Sequence, residues 1–159
     1  MNFILFDTPV GKLGLYQQEG FLTRLCLPGE DTPYPVTDET ALLALGRSQL
    51  LEYFAGRRNA FELPFKTGGT AFQQKVWTAL LQIPYGRTCS YGELAAEIGT
   101  PRGARAVGQA NHHNPLPIFI PCHRVVGAHG GLGGYGGGLP LKMALLDLES
   151  QYSAEGESS

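Results

Sequence analysis

Two prolines constrain a segment in the second half of the chain. Pro117 and Pro121 rule out a continuous helix there, because each lacks an N–H group and favours extended geometry in the residue before it. Residues 118–120 between them are all apolar, and Cys122 follows the second proline directly. The sequence therefore predicts that Cys122 lies on a rigid loop.

Cys122 has two interpretations. Free cysteine is among the residue types most often buried, so inert packing beside the apolar run is one of them. The other is a reactive thiol, because His123 and Arg124 follow it and nearby positive charge or a hydrogen-bonded base favours the thiolate. Adjacent side chains on an extended chain point to opposite faces, so an interaction between Cys122 and His123 requires a turn or a bridging water.

Length and composition limit the class of protein. At 159 residues with 43% apolar side chains, the chain can form one ordinary domain or two small ones. Three cysteines without paired spacing argue against a disulfide framework and for a reducing compartment. The sequence has neither a signal peptide nor a membrane-spanning run. We expect a soluble monomer without a membrane partner, located in the cytoplasm, or in the nucleus if the source is eukaryotic.

The charge distribution is uneven. A net charge of −2 by itself argues against a nucleic-acid binder. However, residues 1–65 hold five basic and eight acidic side chains, whereas residues 66–150 hold seven basic and four acidic ones. Only the second part suits a polyanionic partner.

The first 65 residues predict a small α/β lobe. Three short runs separated by turn residues favour a β-meander; they are residues 2–7, 12–17 and 20–27. After a proline-containing loop, Thr37 or Asp38 is expected to cap an amphipathic helix that ends near Phe54, before Gly56. The apolar face of this helix is expected to consist of Leu42, Leu45, Leu50, Tyr53 and Phe54. The change of character over residues 57–69 is the predicted domain boundary.

Residues 66–150 predict a mainly α-helical domain. Thr70 is expected to cap a helix over 71–82, and Ser90 with Glu93 forms a capping-box pattern that opens a helix to about residue 98. A glycine-containing turn and a helix over 102–112 make residues 90–112 a helix-turn-helix candidate. A closing helix is expected over 140–149, and residues 151–159 are predicted to be a disordered tail.

The second helix of this pair is rich in small residues. Gly103, Ala104 and Ala106 would let its backbone lie against another surface, with Arg102 and Arg105 projecting. Close packing inside a core explains the small residues equally well, but it does not explain the arginines.

Several motifs together resemble the O6-alkylguanine-DNA alkyltransferases, which are methylated-DNA:protein-cysteine methyltransferases. The resemblance covers residues 70–150. The matching segments are Phe72-Gln73-Gln74-Lys75-Val76-Trp77, Ile83-Pro84-Tyr85-Gly86, Ser90-Tyr91-Gly92-Glu93-Leu94-Ala95, Arg105-Ala106-Val107-Gly108, Asn114-Pro115 and Ile120-Pro121-Cys122-His123-Arg124-Val125. It implies direct-reversal DNA repair, with a ribonuclease-H-like N-terminal lobe that residues 1–65 match only in outline.

The resemblance also implies residue roles in the reaction. Cys122 matches the acceptor that takes the alkyl group from O6 of guanine, or O4 of thymine, and keeps it irreversibly. His123 matches the base that activates the thiol through a water, and Glu149 matches the carboxylate that orients His123. Asn114 matches the hinge asparagine between the helix-turn-helix and the reactive loop.

A second group of implied roles concerns double-stranded DNA with an alkylated base. Arg105 matches the arginine that enters the stack when the damaged nucleotide flips out, and Tyr91 matches the residue that meets the flipped base. Gly103, Ala104 and Ala106 match the close approach to the minor groove. The residues matched to the pocket for the alkylated base are Val125, Tyr135 and Gly136; Gly136 stands where many relatives carry a serine. Neither a cofactor nor a metal is implied.

Two alternatives of other classes remain open at this point. One is a sensor that binds alkylated bases without reacting, although such relatives lack the acceptor cysteine that is present here as Cys122. The other is a thiol hydrolase that uses Cys122 and His123, which would turn over and would not need the helix-turn-helix.

Overall fold

A computed structural model describes residues 1–32, 35–127, 135 and 138–157. The chain divides into two compact units, Met1–Thr67 and Gly68–Ser159. The first is a small sheet with one helix, and the second is mainly helical. Within the described residues, every helix is too short or too polar to cross a bilayer.

The first unit is built on an antiparallel meander. Its strands are β1 (Asn2–Thr8), β2 (Gly11–Gln18) and β3 (Phe21–Cys26), in that order across the sheet. Leu15 at the centre of β2 lies opposite Ile4 on one side and Leu25 on the other, and all three are buried. The meander predicted from the turn residues is confirmed.

Helix α1 (Ala41–Phe54) starts later than the sequence predicts. Its N-cap is Thr40, whose side chain accepts a hydrogen bond from the Leu43 N–H. Thr37, an expected cap, is used elsewhere: its Oγ1 accepts from the Phe3 N–H at 2.9 Å, and its own N–H donates to the Phe3 carbonyl at 2.9 Å. Thr37 therefore ties the loop to β1 instead of starting the helix.

The buried face of α1 matches the predicted apolar face only in part: Leu50, Tyr53 and Phe54 are buried as expected. Leu45 is 47% exposed, whereas Gly46 is buried. A Cβ on Gly46 would come within 2.7 Å of a methyl group of Leu15 on β2, so the absence of a side chain lets the helix approach the sheet closely. The nearest distance between helix and sheet is set by a glycine rather than by leucines.

Three helices form the first part of the second unit: α2 (Ala71–Leu80), α3 (Tyr91–Glu97) and α4 (Ala104–His112). Capping boxes start α2 and α3, through the pairs Thr70/Gln73 and Ser90/Glu93. Both caps are as predicted, because each joins residues only three positions apart. The indole N–H of Trp77 donates to the Ala110 carbonyl at 2.8 Å and so fastens α2 to α4.

Two short strands of the second unit pair in parallel. Strand β4 (Cys89–Ser90), which directly precedes α3, pairs with β5 (Val125–Val126) in parallel. A single 3-10 turn over Cys122–Arg124 leads into β5. The pairing therefore holds the turn that carries Cys122 beside the start of α3.

Helix α5 (Leu139–Glu157) closes the unit and continues past its expected end. The sequence predicts a helix to 149 and a disordered tail over 151–159; instead, residues 151–157 are helical. Packing explains part of the difference, because a side chain on Gly86 would collide with Ser153 of α5. The tail contains no proline and one glycine, so local sequence does not stop the helix.

Candidate active site

The loop before Cys122 is held by one asparagine. Asn114, which follows the end of α4, donates from Nδ2 to the Ile120 carbonyl at 2.8 Å and accepts from the Leu116 N–H at 3.0 Å. Between these anchors, Ile118 has a φ of 74°, a left-handed conformation that is unfavourable for a β-branched residue. The two hydrogen bonds of Asn114 therefore hold a strained turn in place. This position agrees with the bridging role that the resemblance implies for Asn114.

The sequence leaves open whether the chain turns between Cys122 and His123, and the structure has a 3-10 turn there. Cys122 and His123 lie in a tight turn, and the Cys122 N–H donates to the Ile120 carbonyl at 2.8 Å. Cys122 is 4% exposed and His123 is fully buried. The thiol and the imidazole are therefore both withdrawn from bulk water.

Glu149 of α5 meets His123 in a fully buried pair. Nε2 of the imidazole lies 2.6 Å from Oε2 of the carboxylate, although the two residues are 26 positions apart. Burial alone would raise the pKa of Glu149, but the hydrogen bonds and charges of His123 and Arg124 outweigh burial and lower this pKa to about 2. Glu149 is thus ionised at neutral pH.

The protonation state of His123 follows from this pairing. Burial lowers the pKa of His123 below its ordinary value, and Glu149 opposes the shift only in part. The imidazole is therefore neutral at pH 7 and carries one proton. Because a carboxylate only accepts hydrogen bonds, that proton lies on Nε2 and leaves a lone pair on Nδ1. Nδ1 is buried and has no hydrogen-bond partner within the described residues.

Arg124 is bound to Glu149 rather than placed beside the thiol. Its Nε donates to Oε1 at 2.8 Å and its Nη2 to Oε2 at 3.1 Å, while Nη1 donates to the Ile83 carbonyl at 2.7 Å. The sequence-based expectation that Arg124 supplies positive charge to Cys122 is therefore corrected. Its bidentate contact keeps the carboxylate charged and oriented toward His123.

The glycine of the Ile83-Pro84-Tyr85-Gly86 segment completes the surroundings of Glu149. The Gly86 N–H donates to Oε1 at 3.2 Å. Gly86 has a φ of 78°, and a Cβ there would collide with α5. Only glycine lets this backbone approach the carboxylate.

The Cys122 thiol is subject to opposing influences. Burial raises its pKa, while hydrogen bonds from the side chains of Asn114 and Tyr135 and the charge of Lys142 act to lower it. Tyr91, the first residue of α3, is also close: burial and then the charge of Cys122 raise the pKa of its phenol. Four of the predicted site residues thus lie around the thiol or its backbone; they are Asn114, His123, Tyr91 and Tyr135. Glu149 contacts His123 and not the thiol.

Two further residues of this site are not predicted by the sequence. Lys142 of α5 is completely buried, and its Nζ donates to the Val125 carbonyl at 2.6 Å and lies 6.0 Å from the centre of the Tyr91 ring. Asn111 of α4 is buried and donates from Nδ2 to the Cys122 carbonyl at 3.3 Å. The sequence could have indicated Lys142, because this charged residue stands between Leu141 and Met143 in a mainly apolar helix.

The remaining predicted residues fall into other places. Val125 is buried in β5. Arg105 and Ala106 are exposed on α4, while Gly103 and Ala104 are half-buried at its start. Gly136 lies outside the described residues. Among the residues that are described, no three His, Cys, Asp or Glu side chains are grouped so that they could hold a metal ion.

Comparisons with known proteins agree on one family. The model described as "6-O-methylguanine DNA methyltransferase, DNA binding domain" matches residues 71–151. The constitutive methylated-DNA–protein-cysteine methyltransferase of Bacillus subtilis is 48% identical over 151 residues, covering 90% of this chain and 92% of that protein. A Mycobacterium tuberculosis methylated-DNA–protein-cysteine methyltransferase is 48% identical over 153 residues, covering 94% of this chain and 92% of that protein. The crystal structure of Mycobacterium tuberculosis OGT in complex with DNA superposes with a TM-score of 0.89 at 46% identity, covering 96% of this chain and 94% of that one.

Proposed function

The chain belongs to the 6-O-methylguanine DNA methyltransferase family, and from that premise we propose that Cys122 is the residue that accepts the alkyl group. The protein is a methylated-DNA–protein-cysteine methyltransferase, which acts on DNA and repairs it by direct reversal. The single observation that supports Cys122 is the neutral, buried His123 beside it in the turn, with Nε2 occupied by Glu149 and a lone pair on Nδ1.

The proposed reaction is an in-line displacement. Sγ of Cys122 attacks the alkyl carbon, the S–C bond forms, the C–O6 bond breaks, and the electron pair stays on O6 of guanine. The thiol proton passes through a water to Nδ1 of His123. The Tyr91 hydroxyl donates a proton to the leaving guanine. The resulting tyrosinate then takes a proton from solvent, and the His123 imidazolium releases its extra proton to solvent.

The arrangement explains how a thiol with a raised pKa can still attack. Burial keeps Cys122 protonated at rest, and Glu149 stabilises the imidazolium that forms when the proton leaves. The thiolate and the imidazolium therefore form only during the reaction, when an alkylated base is bound. The product is a thioether, which is not a leaving group under these conditions, so each molecule reacts once.

The exposed face of α4 supports a role in DNA binding. Helices α3 and α4 are proposed to form the helix-turn-helix, with Arg105 replacing the extruded base in the stack. Arg105 and Ala106 are exposed, so a duplex could reach them, and the small side chains permit a close approach to the minor groove. The first unit is proposed to be ribonuclease-H-like, and its meander followed by a helix agrees with the start of such a lobe.

The pocket for the everted base is proposed to include Val125, Tyr135 and Gly136. The proposed substrate is the alkylated base, most simply O6-methylguanine, with O4-alkylthymine as a second one. The protein is proposed to act as a monomer.

A reducing cytoplasmic compartment suits this chemistry, because Cys26, Cys89 and Cys122 are all free thiols.

Intact-mass measurement tests the proposal directly. The protein is incubated with duplex DNA that contains one O6-methylguanine, and its mass is compared with that of Cys122→Ala treated in the same way. We expect one methyl group on the wild-type chain and none on the variant, with Cys89→Ala as the control that still reacts. An unmodified wild-type chain would indicate a binding sensor, and catalytic ester or peptide cleavage would indicate a thiol hydrolase.

A further inference from the structure

The chain between α2 and β4 lies against the buried pair of Arg124 and Glu149. The Ile83 carbonyl accepts a hydrogen bond from Nη1 of Arg124 at 2.7 Å, and the Gly86 N–H donates to Oε1 of Glu149 at 3.2 Å. Between these two contacts in the sequence, the ring centre of Tyr85 lies 5.7 Å from the guanidinium carbon of Arg124. An aromatic ring within about 6 Å of a guanidinium attracts it electrostatically. The ring of Tyr85 is therefore held against the ion pair.

Exposure to solvent falls from Tyr85 inward. Tyr85 is half-buried, Arg124 is 7% exposed, Glu149 is 1% exposed and His123 is fully buried. The groups contact one another in the same order, from ring to guanidinium, from guanidinium to carboxylate and from carboxylate to imidazole. Tyr85 is therefore the member of this row that meets water.

Contacts of the neighbouring backbone fix the position of the ring. The Arg87 N–H donates to the Pro84 carbonyl at 3.0 Å and closes a turn that contains the tyrosine. A Cβ on Gly86 would come within 2.6 Å of the Cβ of Ser153, so the backbone after the ring packs directly on α5. Ser153 follows Glu149 by one turn of this helix. The ring and the carboxylate are thus held by the same element.

We propose that Tyr85 is a positioning residue for the alkyl transfer, because its ring covers the guanidinium of Arg124 and keeps water from the carboxylate that orients His123. This inference rests on the proposed function, since the carboxylate has this task only if His123 takes the proton of Cys122. Water that entered beside Glu149 would compete for its hydrogen bonds and raise the local dielectric constant. The ring therefore preserves the dry surroundings on which the relay depends.

Loss of the ring is expected to raise the pKa of His123. The charged groups that act on this imidazole are Glu149 and Lys142 of α5 and Arg124 of its own turn, in which Cys122 precedes it. Burial is the largest influence and lowers the pKa, Glu149 raises it, and Arg124 and Lys142 lower it. Admitted water weakens the effect of burial, because hydration stabilises the imidazolium. The base is then protonated at a higher pH, at which it cannot accept the thiol proton.

The pH dependence of methyl transfer provides the test. Single-turnover transfer from duplex DNA with one O6-methylguanine is timed from about pH 5 to about pH 8 for the wild type, Tyr85→Ala and Tyr85→Phe, with saturating DNA. We expect the loss of rate at acidic pH to begin about one pH unit higher in Tyr85→Ala, which makes this variant about tenfold slower on the acid side. Tyr85→Phe keeps the ring and is expected to keep the profile of the wild type.

Phe21→Ala is the matched control. Nζ of Lys66 lies 5.7 Å from the centre of the Phe21 ring, but this pair belongs to the first unit, and its loss is expected to leave the pH profile unchanged. Circular dichroism verifies that each variant is folded at every pH. If Tyr85→Ala does not fold, Tyr85→Leu takes its place, because leucine fills part of the volume without a ring, and the same upward shift is expected.

Three results would overturn the inference. The first is a folded Tyr85→Ala whose rate falls at the same pH as that of the wild type, which would show that Tyr85 only supports the fold. The second is a shift in Tyr85→Phe as large as that in Tyr85→Ala, which would assign the effect to the hydroxyl group. The third is an equal shift in Phe21→Ala. Failure of the proposed function looks different, because the wild type would then transfer no methyl group at any pH.

Discussion

Replacing Glu149 by glutamine tests the buried charge network quantitatively. The carboxylate receives hydrogen bonds from His123, from two nitrogens of Arg124 and from the Gly86 N–H. Glutamine keeps the shape and removes the charge, so the guanidinium of Arg124 is left buried without its counterion. Losing one partner of a buried ion pair typically costs about 3–5 kcal/mol.

The shifted pKa of Glu149 gives a second, independent value for the stability that the ionised carboxylate contributes. The pKa of Glu149 falls from 4.5 to about 2 on folding, and each pKa unit corresponds to about 1.4 kcal/mol, so the ionised carboxylate contributes about 3 kcal/mol to the free energy of unfolding. Because the folded-state pKa is depressed, this contribution is present above pH 4.5 and is lost as the pH falls toward 2. A protonated Glu149 then resembles glutamine.

Urea unfolding followed by circular dichroism at several pH values measures this effect. We expect Glu149→Gln to unfold with about 3 kcal/mol less free energy than the wild type at pH 7, and the difference to shrink as the pH falls through 4.5. Asp147→Asn is the matched control, because Asp147 is an exposed carboxylate on the same helix. A difference that does not change with pH, or an equal loss in Asp147→Asn, would refute the reasoning.

Three further predictions concern the reaction. Arg105→Ala should slow methyl transfer from duplex DNA strongly and leave reaction with the free modified base unchanged, with Arg102→Ala as the control; equal effects on both substrates would contradict a role in base extrusion. Lys142→Met should shift the reaction of Cys122 with iodoacetamide to higher pH, because a positive charge that lowers the thiol pKa is lost; an unchanged pH midpoint would exclude that influence. Alkylation should stay level as the pH falls to 6.5 and decline only below it, because burial lowers the pKa of His123 and keeps it neutral; a decline already above 6.5 would contradict the neutral base.

Local features of the fold were predictable from the sequence. The capping boxes Thr70/Gln73 and Ser90/Glu93 lie where their spacing indicates, and the turns of the β-meander divide the strands as expected. Each of these features depends on interactions between residues a few positions apart. The resemblance of residues 70–150 to a known family extended the prediction to Glu149, which no local pattern would have selected.

The phase and length of helices were less predictable. The leucine pattern of α1 points to Leu45, yet Gly46 faces the sheet because the helix approaches Leu15 closely. Likewise, α5 continues through residues that composition assigns to a tail, and Ser153 packs against Gly86. In both cases contact with a residue far along the chain determines which face is buried or where the helix ends. The position of that residue cannot be read from the local sequence.

The sequence alone determined that a proline-bounded turn presents a thiol next to an imidazole, because proline geometry and chain adjacency are local properties. Only the tertiary structure decided that Arg124 pairs with Glu149 rather than with the thiol, and that Lys142 and Asn111 hold the carbonyls of Val125 and Cys122. These contacts join side chains of α4 and α5 to the Cys122 turn and to β5, between residues that are 11 to 25 positions apart. They exist because the helices pack around the turn, where a buried polar group without a hydrogen bond costs free energy.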